Sequence, residues 1–302
     1  MTAIPRRRFL KTAALAAGMT TIATQTAESR DRPSGASHPG TAPWIAHDLH
    51  THTVYSDGAQ TIPLLVFEAR AFELEAVAVT DHYTPGSKLY QSQAEFDRYL
   101  AEIDRERKGQ SDVLVLKGAE ATVLDVAGRI SLDPQHAERL EWVLCDLGGQ
   151  SEGTLRNTPS DKRRYAENVV RTYLALCDVE YLNVIAHPFN TGNTRPPLAP
   201  AEYPERLLRE LASKMAAKGK VFDVMNDSAF WQQKSGIGPR EMTAQYVELV
   251  KLFAAEKVRF QVSSDDHRTG LGNTHWSQLV LQRAGVPPNQ IVQLAELQRL
   301  CK

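Results

Sequence analysis

The sequence predicts an α/β chain of seven parallel strands alternating with helices, and a (β/α)7 barrel is favoured over an open doubly wound sheet. Three observations predict it. Short apolar runs recur seven times, with a longer amphipathic segment filling each gap. No Gly-x-Gly-x-x-Gly follows any run, so the usual signature of an open dinucleotide-binding sheet is missing. Histidines and carboxylates fall just past the runs, where a parallel barrel gathers distant residues on one rim.

The chain opens differently from the rest. Arg6, Arg7 and Arg8 precede Phe9-Leu10-Lys11, an Ala-rich stretch follows from Thr12, and small residues at Thr26-Ala27 offer a cleavage point. Residues 1–27 resemble a twin-arginine signal peptide. The apolar run is too short and too rich in Ala, Thr and Gly to span a membrane. The expectation is therefore delivery to the periplasm or the medium by the twin-arginine export machinery, with no stable membrane anchor. Residues 28–43, rich in Ser, Pro, Gly, Arg and His without apolar periodicity, read as a flexible linker.

The folded domain is expected over 44–302. Its strands are expected at Trp44–Leu49, Ala76–Val79, Val113–Lys117, Trp142–Asp146, Leu182–Ala186, Val221–Met225 and Arg259–Val262. Helical patterns cover Ile62–Glu73, Ala94–Lys108, Pro134–Glu141, Asp161–Cys177, Pro204–Lys218 and Pro239–Glu256, with two more between Trp276 and Leu300. Between them, Ala121–Leu132 reads as a hairpin inserted after the third strand.

Composition narrows the function. A 42% hydrophobic content and a formal net charge of −1 describe an ordinary globular chain with no general attraction to nucleic acid or anionic membranes. Phosphate specificity, if present, must come from local groups, and a small-molecule partner is favoured. Cys145, Cys177 and Cys301 are widely spaced and odd in number, which excludes a zinc knuckle and a disulfide framework. Buried thiols are the favoured reading, and a Cys145–Cys177 disulfide is the alternative an oxidising compartment would permit.

The strand ends carry the chemistry. His50 and His52 follow the first strand, Asp81-His82 the second, Glu120 the third, His187 the fifth, and Asp265 and His267 the seventh. Five of the nine histidines sit at such ends, whereas His38, His47, His136 and His275 do not and are read as ordinary core or surface residues. Imidazoles and carboxylates together suit Zn, Mn or Fe at a site that also keeps room for water.

At these residues a family resemblance becomes specific. His47-Asp48-Leu49-His50-Thr51-His52-Thr53, followed by Ser56-Asp57-Gly58, is similar to the opening H-x-H-S/T-x-x-S-D-G motif of PHP (polymerase and histidinol phosphatase) domains. Thr80-Asp81-His82, Gly118-Ala119-Glu120, Ala186-His187-Pro188 and Ser264-Asp265-Asp266-His267 continue the match in order. The resemblance implies a distorted seven-stranded, TIM-barrel-like fold with two or three divalent ions. By that resemblance His50, His52, Glu120 and Asp265 hold one ion. Glu120 bridges to a second held by His187, and Asp57, His82 and His267 hold a third. One departure stands out: where the family commonly supplies another His after the fourth strand, this chain reads Asp146-Leu147-Gly148-Gly149-Gln150. Either Asp146 or Gln150 substitutes, or that place is weaker. Asp81 is read as an acceptor that orients an imidazole, or as a turn residue.

The activity this implies is hydrolysis of a small organic phosphate ester by a metal-activated hydroxide. Asp265 and His267 are the candidate catalytic residues. Arg268 beside them is the candidate cation for the phosphoryl oxygens, and Arg195 is a second candidate or a solvated loop residue. Asn226 either lines the pocket or caps its loop. The alternatives are a nuclease, which the absence of a basic surface and the export signal disfavour, and a non-catalytic metal- or ligand-binding module.

Overall fold

The computed structural model describes residues 45–108, 112–192 and 197–301, and the compact unit Trp44–Lys302 carries the fold. The expected leader and linker, Trp44 and Arg195 lie outside the described residues. The strands are β1 His47–Thr51, β2 Ala76–Val79, β3 His82–Tyr83, β4 Leu114–Thr122, β5 Trp142–Asp146, β6 Val184–Ile185, β7 Val221–Met225 and β8 Arg259–Ser263. The helices are α1 Ile62–Ala71, α2 Lys88–Gln91, α3 Gln93–Lys108, α4 Pro134–Ala137, α5 Lys162–Leu176, α6 Glu205–Ala217, α7 Ser228–Trp231, α8 Pro239–Ala255, α9 His275–Ala284 and α10 Leu294–Leu300.

Every ladder is parallel, in the order β1-β2-β4-β5-β6-β7-β8, with β3 paired on β4. Past the ends of β1 and β8 the chains meet through His52 N to Asp266 O at 2.8 Å and Asp265 N to His50 O at 3.0 Å. Seven strands thus form a nearly closed barrel, as expected from the sequence. Strand alternation sorts their side chains into two environments. Val77, Val79, Val115, Val143, Cys145, Ile185, Phe222 and Val262 pack outward beneath the helices. Leu49, Ala76, Ala78, Leu116, Trp142, Leu144, Val184 and Val221 form a smaller, separate cluster inside the barrel.

The helices form where caps and apolar stripes agree. The Asp161 carboxylate accepts from Arg164 N at 2.6 Å and starts α5, which then buries Tyr165, Val169, Tyr173 and Leu176 on one face. Two strands differ from expectation in a way that matters for the site. β1 runs on to Thr51, and β4 to Thr122, so His50 and Glu120 lie within strands. The polar ends Gly118–Thr122 have little strand propensity of their own, but β3 and β5 pair with them. The expected hairpin after the third strand is reduced to one antiparallel bridge, Val123 to Ile130. Gly128 turns it at φ +83°, and any β-carbon there would meet that of Ala175 at 2.7 Å. The expected helix over Pro134–Glu141 stops at Ala137, since Glu141 N donates to Lys117 O and draws the chain into the sheet. Cys145 and Cys177 are free, buried thiols, so the alternative of a disulfide between them is set aside.

Candidate metal centre

β1 delivers the first two imidazoles. Its register shifts against β2 between Asp48 and Thr51, the kind of irregularity that re-aims side chains at a sheet's end. His50 and His52 are both buried, with their Nε2 atoms 3.1 Å apart. Glu120, completely buried, stands between strands: its Oε1 lies 3.3 Å from His50 Nε2 and 3.2 Å from His187 Nε2. Its Oε2 lies 2.8 Å from His82 Nδ1 and 3.5 Å from His52 Nε2. Asp265 Oδ1 approaches His52 Nε2 at 3.0 Å and His50 Nε2 at 3.4 Å. On the outer side, Asp57 Oδ1 is 3.4 Å from His267 Nε2 and 3.6 Å from His82 Nε2. Two groups have the mutual spacing of metal ligands: His50, His52 and Glu120, and His52, Asp57, His82 and His267.

Several of these atoms are close without being hydrogen-bonded. Both oxygens of Glu120, Oδ1 of Asp265 and Nδ1 of His82 are buried and have no hydrogen-bond partner. Such atoms normally find partners in native interiors. Imidazole nitrogens and carboxylate oxygens converging without hydrogen-bond alignment fit a cation placed among them, so the residues present suit divalent ions. The charges agree. Burial alone would raise the Glu120 carboxyl, yet the imidazoles of His50 and His82 hold it well below the usual range. Burial works against protonation of His82, but Glu120 prevails and lifts it to about 10. The cluster therefore demands positive charge, whether from protons or from metal. Asp146 goes the other way: burial, then the neighbouring charge of Glu120, pushes it up to about 6.

Around this centre are residues that position it. Asp223 Oδ2 lies 3.1 Å from His50 Nδ1 and accepts from His187 N at 3.2 Å. Its Oδ1 accepts from Ser263 Oγ at 2.7 Å and Gln261 Nε2 at 3.0 Å. Sequence reasoning missed Asp223, although a lone carboxylate in the apolar run Val221–Met225 was a signal. Of the two roles expected for Asp81, the hydrogen bonds favour the turn. Asp81 accepts from Thr53 N, Thr53 Oγ1 and Ser56 Oγ, which ties down the turn after His52 rather than an imidazole directly. His187 and Asp265 carry their side chains on left-handed backbone, at φ 26° and 56°, a conformation uncommon for non-glycine residues.

The eight expected ligands thus meet at one rim, beside a cavity of about 350 Å³ lined also by Thr84, Asp146, Gln150, Asn190 and Trp231. The Arg268 side chain is exposed and is not among the residues lining the cavity; its backbone N and that of Gly270 both donate to Asp266 Oδ1. Asn226 caps: its Oδ1 accepts from Trp276 N at 2.9 Å in the first turn of α9.

A parallel barrel whose C-terminal rim gathers imidazoles and carboxylates from five strands' ends defines a metallohydrolase-like scaffold. The chain belongs to the PHP domain family, whose profile matches residues 48–257. It is 25% identical over 248 residues to a probable phosphatase of Caldicellulosiruptor bescii, covering 81% of this chain and 90% of that one. A probable phosphatase of Acetivibrio thermocellus is 29% identical over 223 residues, or 73% of this chain and 78% of the relative. Among solved structures, a histidinol phosphate phosphatase of Lactococcus lactis, in complex with zinc, L-histidinol and phosphate, superposes with a TM-score of 0.55. At 18% identity over 80% of this chain and 95% of that one, this is a likeness of fold.

Proposed function

We propose that this protein is a metal-dependent phosphoesterase acting on a small organic phosphate, with two or three divalent ions, Mn, Zn or Fe, at the barrel rim. The observation that carries it is Glu120, a fully buried carboxylate whose two oxygens lack hydrogen bonds and face the imidazoles of His50, His52, His82 and His187. His50, His52, Glu120 and Asp265 would hold one ion, Asp57, His82 and His267 another, and His187 with Glu120 a further one. When bound, such ions supply Lewis acidity, making water a competent nucleophile and offsetting the charge of the phosphoryl oxygens.

The chain's own part is to position and enclose. Asp223 occupies the Nδ1 side of His50, so the Nε2 lone pair faces the centre. The peptide oxygen of Asp265 does the same for His267 at 2.8 Å. Trp231, Leu147, Asn190 and Gln150 form the part of the cavity available to the alcohol of the ester. Among the described lining residues there is no lysine or arginine, and bound ions would supply positive charge toward the phosphate. The test is hydrolysis of an aryl phosphate by the purified protein: activity lost in chelator and restored by Mn, Zn or Fe is the expected result. A full rate in excess chelator would refute the reading.

Export by the twin-arginine route belongs to the same proposal, supported by the Arg6-Arg7-Arg8-Phe9-Leu10-Lys11 run. Among the described residues, no helix is long and apolar enough to cross a membrane. The substrate would accordingly be met in the periplasm or the medium.

A further inference from the structure

We infer that Asp146 is a ligand of the ion shared by Glu120 and His187, which makes that place a two-carboxylate site. The inference rests on the phosphoesterase reading above and concerns only this chain's own donor set. Topology puts Asp146 in position: β5 lies between β4, which carries Glu120, and β6, which leads to His187. Alternation along Trp142-Val143-Leu144-Cys145-Asp146 turns Val143 and Cys145 outward to the helices and Trp142 and Leu144 into the barrel. Asp146 therefore shares the inward face. In register it pairs with Thr122, two residues beyond Glu120, while Cys145 pairs with Ile185, two residues before His187.

Its surroundings call for a cation. Oδ1 of Asp146 is buried without a hydrogen-bond partner, in the same cavity lining as Glu120, His82 and His187. A buried, unpartnered carboxylate oxygen beside a second, fully buried carboxylate is stabilised by positive charge or by taking up a proton itself. Gly148 keeps this place open. A β-carbon there would stand 2.8 Å from Asp146 Oδ2 and 2.6 Å from Thr122 Oγ1, so any larger residue would press on the carboxylate. Gln150, the other candidate for the role, is exposed.

A ligand and a neutral acid behave differently on amidation. The experiment measures metal content by elemental analysis after extensive dialysis of the full chain, for wild type, Asp146→Asn, Asp146→Glu and Glu120→Gln. Visible absorption of the Co(II)-loaded proteins is recorded alongside. If Asp146 is a ligand, Asp146→Asn loses up to one equivalent or binds its weakest ion roughly tenfold or more weakly. Asp146→Glu keeps that ion with a changed Co(II) spectrum. Glu120→Gln loses metal in either case. Wild-type stoichiometry and affinity in Asp146→Asn, with loss in Glu120→Gln, would overturn the assignment and leave the phosphoesterase reading intact. If Asp146→Asn does not fold, an unchanged Co(II) spectrum in Asp146→Glu overturns it. Wild type without metal after reconstitution would overturn both.

Discussion

Replacing Asp223 by Asn keeps the shape of the side chain and changes one oxygen into a donor, and the surroundings determine where that donor must go. Trp142 Nε1 donates to Gln261 Oε1 at 3.1 Å, which commits Gln261 Nε2 to donate toward residue 223 at 3.0 Å, where Ser263 Oγ also donates. The one oxygen left on the substituted side chain is held on that side, and the new NH2 faces His187 N and His50 Nδ1. His50 can meet a donor at Nδ1 only by moving its proton to Nε2, the nitrogen that faces Glu120 and Asp265. Loss of such an outer partner costs about 10- to 100-fold in metal affinity or activity, or about 1.4–2.8 kcal/mol. The amide of His187 loses its acceptor as well, at about 1–3 kcal/mol of stability. The assay is competition with a chromophoric chelator, together with urea unfolding of the metal-free protein. An Asp223→Asn dissociation constant indistinguishable from wild type would show that His50 does not depend on this carboxylate.

Two further predictions concern parts of the chain away from the ions. His47 is buried with Nε2 unpartnered, and burial lowers it to about 4, against a smaller upward pull from Asp223. A depressed folded value means stability that is present above about 6.5 and lost as pH falls toward about 4, at most about 3 kcal/mol for this one group. His47→Leu should flatten that part of the unfolding free energy against wild type, while acid loss common to both reports the metal centre; parallel curves would remove His47 as the cause. Changing Arg6, Arg7 and Arg8 to Lys should leave a folded, uncleaved precursor in the cytoplasm, read by fractionation and immunoblot, and undiminished periplasmic delivery would exclude the twin-arginine route.

What the sequence made legible follows the physics of each segment. Ala76–Val79, Trp142–Asp146 and Val221–Met225 have the bounds expected, since each is an apolar run whose own residues favour a buried strand. The ends of β1 and β4 were harder, because His50-Thr51 and Gly118–Thr122 are strands by virtue of their neighbours. Seven of the eight side chains expected to bind metal were visible because strand-end position is a local property and the rim collects such ends, whereas Asp57, six residues past β1, was legible only through the motif resemblance. Asp223 was not, since its meaning lies in a partner 173 positions away. The place of the Arg268 side chain was equally illegible, because adjacency to His267 in sequence does not set direction where Asp266 turns the backbone.

The barrel's seam lies where the metal centre lies. His50 lies near the end of β1 and His52 just past it, Asp265 and His267 follow β8, and the same short segments join the first strand to the last. The Asp48 carboxylate reinforces the join by accepting from Ser264 N at 3.0 Å, 216 positions along the chain, and from Gly272 N at 2.8 Å. Closing so long a loop is among the costlier steps of assembly and gains from contacts made early in between. A nascent chain still lacking β8 would hold His50, His52 and Glu120 without their opposing carboxylate. The ligand set expected at the rim is thereby complete only once the last strand has closed the barrel on the first.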